Sequence, residues 1–166
     1  RMVLRGQLIS LCFSILIILF IMTLVFRSIT GGLLATLPMV ASVVMMFGLM
    51  GYLDIPLNMT TSMLTGILVG VGVDYTVHFL WHLREHIKSG DSLDDAIATT
   101  LRISGKGILF NGLSVIIGFS ALLFSVFVPV RIFGILVMGS ISLCLFGALA
   151  TLPALISLIN PKFLYR

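Results

Sequence analysis

An all-α, polytopic membrane bundle of five transmembrane helices plus one short interfacial amphipathic helix is the fold this sequence predicts, and three observations carry it. Of 166 residues, 59% are hydrophobic and only 10% charged, and the mean hydropathy is +1.22, which leaves too little polar surface to coat a soluble globule. Apolar runs recur at bilayer length, about 20 residues for a hydrocarbon core of roughly 30 Å. The basic residues, responsible for a net charge of +4, fall in short connections between those runs rather than in one patch. That distribution speaks for membrane lipids as surroundings and against nucleic acid as a partner. Residues 1–166 read as one transmembrane domain.

The first span is predicted over 7–26, ended by Arg27-Ser28-Ile29-Thr30-Gly31, a charge and a tight turn. The second covers 32–50 and contains Pro38, which should kink it or widen one turn unless neighbours satisfy the freed carbonyl. Gly51 to Asn58 is a polar-tipped turn. The third span, 61–83, carries Asp74 near its midpoint and runs out into Trp81, His82, Arg84 and Glu85, an amphipathic aromatic followed by charge, as expected at headgroup level. In the long connection from Arg84 to Lys106, Ser92-Leu93-Asp94-Asp95 resembles a capping box, with Leu93, Ile97 and Leu101 at helical spacing behind it. These residues predict a separate helix over 92–104 lying in the interface plane. The fourth span is placed over 107–126, broken at Pro129, and the fifth over 132–159.

Five spans put the two ends of the chain on opposite faces. Arg27, Arg84, Lys88, Arg102, Lys106, Lys162 and Arg166 gather on one side, against Arg1, Arg5 and Arg131 on the other. The richer side is expected to be cytoplasmic and the N-terminus extracytoplasmic, in a multi-pass protein of the inner or plasma membrane. Cys12 and Cys144 fall within apolar spans without ligand-like spacing and read as small buried hydrophobes. No cleavable leader is expected, because the first apolar run is too long, and the opening Arg1-Met2-Val3-Leu4-Arg5 reads as part of something longer.

Asp74 is the one ionisable group that the hydropathy pattern sets deep in the hydrocarbon. A carboxylate there costs about 2.5–3.5 kcal/mol on insertion scales, so it persists if it is held by protein or performs a task. One reading is a static hydrogen bond that fixes helix register. The other is proton carriage, since burial penalises the ionised form and a modest change of partners or water then moves the proton on or off. Gly66 and Gly70 form a G-x-x-x-G pair with Gly72 close by, spacing suited to helix packing and to sequestering Asp74. Tyr75 is either a donor to a facing carboxylate or an ordinary buried aromatic. His78 follows Asp74 by one turn, and His82 and His86 continue the stripe, which reads as a proton path toward the headgroups rather than a metal site. Asn111 and Ser114 form the other polar pair within a span, either partners for Asp74 or packing groups. No Lys or Arg lies deep enough to pair with Asp74.

The run G-I-L-V-G-V-G-V-D-Y-T-V-H-F from Gly66 to Phe79 resembles the fourth transmembrane helix of a half-repeat in the resistance-nodulation-division (RND) superfamily, nearest its MMPL-type and predicted hydrophobe exporters. Patched-like and sterol-sensing proteins are more distant relatives. Phe26-Arg27-Ser28, Leu37-Pro38, Asn111-Gly112-Leu113, Phe133-Gly134 and Leu152-Pro153-Ala154-Leu155 agree with it, so the resemblance spans nearly the whole chain. It implies that the five spans are helices two to six of a six-helix half. A second transmembrane half and an extracytoplasmic domain of the same transporter are then its implied partners, together with a hydrophobic substrate.

The resemblance further implies that Asp74 and Tyr75 carry protons; joined by His78 from the histidine stripe they make the expected proton relay, with Asn111 and Ser114 as possible relay partners, driven by the proton motive force without a bound cofactor. The Asp74-Tyr75 pair departs from the Asp-Asp pair of the drug-efflux branch. The expectation is a half of a proton-coupled exporter of lipids or other hydrophobic molecules, not an enzyme, with no catalytic residues and no metal. Its alternative is a sterol- or lipid-sensing regulatory domain in which no proton moves.

Overall fold

The computed structural model describes residues 2–56 and 58–165, without the side chains of 2–5, 59, 60 and 162. Arg1, Leu57 and Arg166 therefore lie outside the described residues. The chain folds into helices α1 (Met2–Phe26), α2 (Ile29–Tyr52), α3 (Met59–Lys88), α4 (Leu93–Ser120), α5 (Val128–Phe146) and α6 (Leu152–Ile159). No strand occurs among the described residues. Five helical stretches, Gly6–Phe26, Ile29–Tyr52, Thr61–Lys88, Leu93–Phe124 and Val128–Ile159, are long and apolar enough to cross a membrane.

The turns are tight because the backbone satisfies itself there. At the end of α1 the Ser28 N–H donates to Thr23 O (3.2 Å) and the Arg27 N–H to Leu24 O (3.2 Å), a Schellman closure with Arg27 in the left-handed region at φ 49. Gly32 then lies so close to α1 that a Cβ there would sit 3.0 Å from the Thr23 nitrogen and also against its hydroxyl. The end of α2 repeats the device, Ile55 N–H to Met50 O (2.9 Å) and Asp54 N–H to Gly51 O (3.4 Å), with Asp54 at φ 51. A reciprocal capping box opens α3: Asn58 Oδ1 accepts from the Thr61 N–H (2.9 Å), and Thr61 Oγ1 accepts from the Asn58 N–H (2.8 Å). Unpaired helix ends are costly near hydrocarbon, so these caps are what let antiparallel spans follow within a few residues.

Two span boundaries are corrected. The helix foreseen over 92–104 is not separate: it begins at the Ser92 cap, where Ser92 Oγ accepts from the Asp95 N–H (3.3 Å), but runs on as α4 to Ser120. Gly105 and Gly107 do not interrupt it; a helical glycine costs about 1 kcal/mol, and Gly105 is buried where Leu101 and Leu149 pack. Pro129 does not delay the fifth span to Ile132. It occupies the first turn of α5, where the missing N–H has no intrahelical partner to lose.

The widened turn expected at Pro38 lies elsewhere. Helix α2 continues through Pro38, while residues Gly147–Thr151 form a π-turn between α5 and α6. Pro153 has no N–H to offer the Leu149 carbonyl, which explains a looser turn just upstream of it. The two proline regions meet: a Cβ on Gly147 would be 3.1 Å from Pro38 Cβ.

Helix α3 is central, packed on α1, α2, α4 and α5. Met39, Met46, Tyr75, Phe79, Leu80, Leu83, Ile141 and Leu152 make up the fully buried interior. Gln7 on α1 adds a polar tie by donating from Nε2 to Ser62 O (3.1 Å) on α3. The outer surface presents Phe13, Phe20, Leu33, Val44, Phe110 and Phe146, as a bilayer requires. Cys144 is buried, but Cys12 stands on the exposed face of α1, against the expectation that both are interior. Exposure to lipid and burial in protein suit a small apolar thiol equally well, so composition cannot separate them.

Candidate functional site

Helix α3 has two unlike faces. Thr76, Phe79, Leu80 and Leu83 point into the bundle, and the Thr76 hydroxyl turns back to donate to Gly72 O (2.9 Å). On the opposite face Gly66, Gly70, Asp74 and His78, spaced four apart, are all exposed. Nothing lies within 4 Å of where a Cβ at Gly66 or Gly70 would sit. The stripe is a smooth, open strip with one carboxylate in its middle.

Asp74 is not sequestered within these five helices; its side chain is 55% exposed. Its nearest partner among the described residues is His78, Nε2 to Oδ1 at 3.5 Å, an i,i+4 pair that a 3.6-residue turn places on one face. The later histidines do not converge on it. His82 lies 3.5 Å from Glu85 and His86 3.3 Å from Asp91, so each imidazole along the stripe has a carboxylate of its own.

Beside the stripe, α3 and α4 enclose a cleft of about 250 Å³. Asp74, Tyr75, His78 and His82 line one wall, and Ser104, Gly107, Ile108 and Asn111 the other. Asn111 thus shares a cavity with Asp74, as its position in the sequence suggested. Ser114 does not: its hydroxyl donates to Phe110 O (2.8 Å) on its own helix, and Ser114 is absent from the cleft wall. Tyr75, adjacent to Asp74 in the chain, is 1% exposed, and its hydroxyl has no hydrogen-bond partner among the described residues. A buried hydroxyl left unpaired costs about 1–3 kcal/mol, and so marks a place where a partner or water is wanted.

The glycines divide likewise. Gly72 packs inside the bundle, where a Cβ would meet Met39 at 3.0 Å and Cys144 Sγ at 3.2 Å, while Gly66 and Gly70 have no packing neighbour among the described residues.

A family model described as the MMPL family matches residues 2–164, almost the full length. The chain belongs to the MMPL family. A protein of Methanocaldococcus jannaschii, described only as a membrane protein, is 29% identical over 139 residues, which cover 84% of this chain and 36% of that protein. The MMPL domain in hand therefore spans about a third of the length of the curated relative it matches.

Ser104, Gly107 and Ile108 are the cleft residues of this MMPL domain that the sequence reading missed. A signal was present: with Asn111 they fall at i, i+3, i+4 and i+7, one face of a helix. It was hidden by assigning 92–104 to a separate helix, which severed Ser104 from Asn111.

Proposed function

We propose that this MMPL domain is one transmembrane half of a proton-coupled exporter of lipids or other hydrophobic molecules, and that Asp74 is its proton-carrying group. The observation that carries the reading is a mid-span carboxylate, more than half exposed, beside glycines that have no packing neighbour among the described residues. Facing lipid, an ionised Asp is unfavourable by several kcal/mol. Facing a second transmembrane half, the strip allows close helix approach at Gly66 and Gly70 and brings Asp74 against protein. Family membership supports a transporter-like membrane domain; proton coupling and the class of substrate are our inference.

The proposed cycle follows from charge. A proton arriving from the extracytoplasmic side neutralises Asp74, which weakens its contacts with His78 and with any polar group on the facing half. The strip then slides or separates, and the motion reaches the extracytoplasmic domain as alternating access. Release of the proton from Asp74 by way of His78, and then His82 one turn on, restores the charge. Each proton crossing the membrane supplies about 2.3 kcal/mol per 100 mV, enough to bias two packings of similar energy. Tyr75, Asn111 and Ser104 provide hydroxyl and amide groups along the cleft for water or for the carboxyl group.

The test uses the full-length transporter reconstituted in vesicles with an imposed proton gradient. Export that follows the gradient and disappears with Asp74→Asn supports the reading. Export that persists in Asp74→Asn, or is indifferent to dissipating the gradient, removes Asp74 from the relay and leaves a lipid-sensing domain as the better account.

A further inference from the structure

Away from the Asp74 cleft, at the end of the bundle where α1 meets α2 and α3 ends, lies a larger pocket of about 810 Å³. Its walls bring together Arg27 from the α1–α2 turn and Arg84 and Lys88 from the last turns of α3. None of the three takes part in an ion pair among the described residues, whose pairs all involve histidine. No carboxylate is found among the residues lining the pocket. Moreover, Arg84 Nε is buried with no hydrogen-bond partner among the described residues. A buried guanidinium N–H without an acceptor is costly, and the side chain that carries it lines this cavity.

The remaining wall chemistry points the same way. Ser28 and Thr30, hydrogen-bonded through their hydroxyls at 3.0 Å, stand at the N-terminus of the 24-residue helix α2, whose dipole favours an anion. Trp81, 54% exposed, and Tyr165, 55% exposed, are amphipathic rings of the kind that settle at headgroup depth. Phe26 and Phe163, edge to face at 5.8 Å, close the inner side with apolar surface. Three cations, a helix N-terminus and two hydroxyls above an aromatic floor, at the level where a span leaves the hydrocarbon, suit a phosphate carried on a hydrophobic body. The volume lies within the roughly 300–1,000 Å³ usual for ligand sites.

We propose that this pocket binds the phosphate headgroup of an anionic glycerophospholipid, with the half-buried Arg84 as the central donor and Arg27 and Lys88 as the flanking charges. Basic pockets between helices at a membrane surface are suited to such headgroups. The site is separate from Asp74 and stands whether or not Asp74 carries protons.

The experiment is native mass spectrometry of the full-length transporter in detergent, titrated with phosphatidylglycerol or with phosphatidylcholine. Phosphatidylglycerol is expected to be retained about tenfold better, and each of Arg84→Gln and Lys88→Gln to weaken its retention roughly fivefold. Lys88 is exposed, so its variant keeps the test intact if Arg84→Gln fails to fold. Lys106→Gln, an exposed cation outside the pocket, should change nothing, which separates a site from general surface charge. Equal retention of the two lipids, or phosphatidylglycerol binding unaltered in both pocket variants, overturns the proposal; that result is also the one expected if another part of the full protein fills the pocket. Displacement of phosphatidylglycerol by an equal concentration of inorganic phosphate overturns the lipid assignment in favour of a free anion.

Discussion

Asp74 and Tyr75 are neighbours in the chain, yet they belong to opposite regimes. Tyr75 is buried with Phe79 and Leu80, and Asp74 is more than half exposed in line with the open glycines, although both reach the wall of the α3–α4 cleft. A helix turns about 100° per residue, so adjacent positions diverge, and an α-helix at the centre of a bundle can offer one face to its core while leaving another free. The core face explains why α3 stays where it is. The open face is where a second half could act on it.

The largest difference between the faces should come from Asp74→Asn: export lost in reconstituted full-length protein, with thermal unfolding unchanged, because no buried contact is removed. An equal loss of stability would mean that the open face also holds the fold. On the core face, Phe79→Ala, at a residue 0% exposed, should do the reverse and cost about 3 kcal/mol of stability through the cavity it leaves, measured by denaturant or thermal unfolding in lipid.

Gly70→Leu sharpens the comparison. A Cβ there has no neighbour within 4 Å among the described residues, so membrane insertion and helix content by circular dichroism should be normal, while export falls severalfold because a large side chain holds the facing half away. Full export with leucine on the strip would argue that nothing packs there. Tyr75→Phe removes a buried hydroxyl that lacks a partner, so stability should change by less than about 1 kcal/mol, whereas export slows if that hydroxyl serves the cleft. Ser114→Ala is the smallest case: its hydroxyl is satisfied by Phe110 O, and both stability, within about 0.5 kcal/mol, and export should be unchanged.

That Gly66, Gly70, Asp74 and His78 share one face was legible without coordinates, since they repeat every four residues on a helix whose length the apolar run declares; that this face lies open within the chain was not, because glycine spacing suits close packing equally well. The cleft was only half legible. Asn111 was placed near Asp74 by being polar within a span, but Ser104 was lost with the misread boundary of α4, and Ser114 was included for the same polarity although its hydroxyl is bonded to its own helix. Polarity within a span says that a partner is needed; it does not say whether the partner is a neighbouring helix or the carbonyl one turn back.

By itself the sequence determined the membrane class, the five spans, the Ser92 start of α4 and the isolation of one mid-span carboxylate, because these depend on local quantities: run length, hydropathy and side chains a few residues apart. Only the tertiary structure decided that Gly72 packs while Gly66 and Gly70 lie open, that Cys12 faces outward and Cys144 inward, and that Arg27, Arg84 and Lys88 converge on one pocket. In a bilayer, lipid is as apolar as a protein core, so hydropathy marks which residues leave water without marking which of them meet protein. That choice is made by packing between helices distant in sequence.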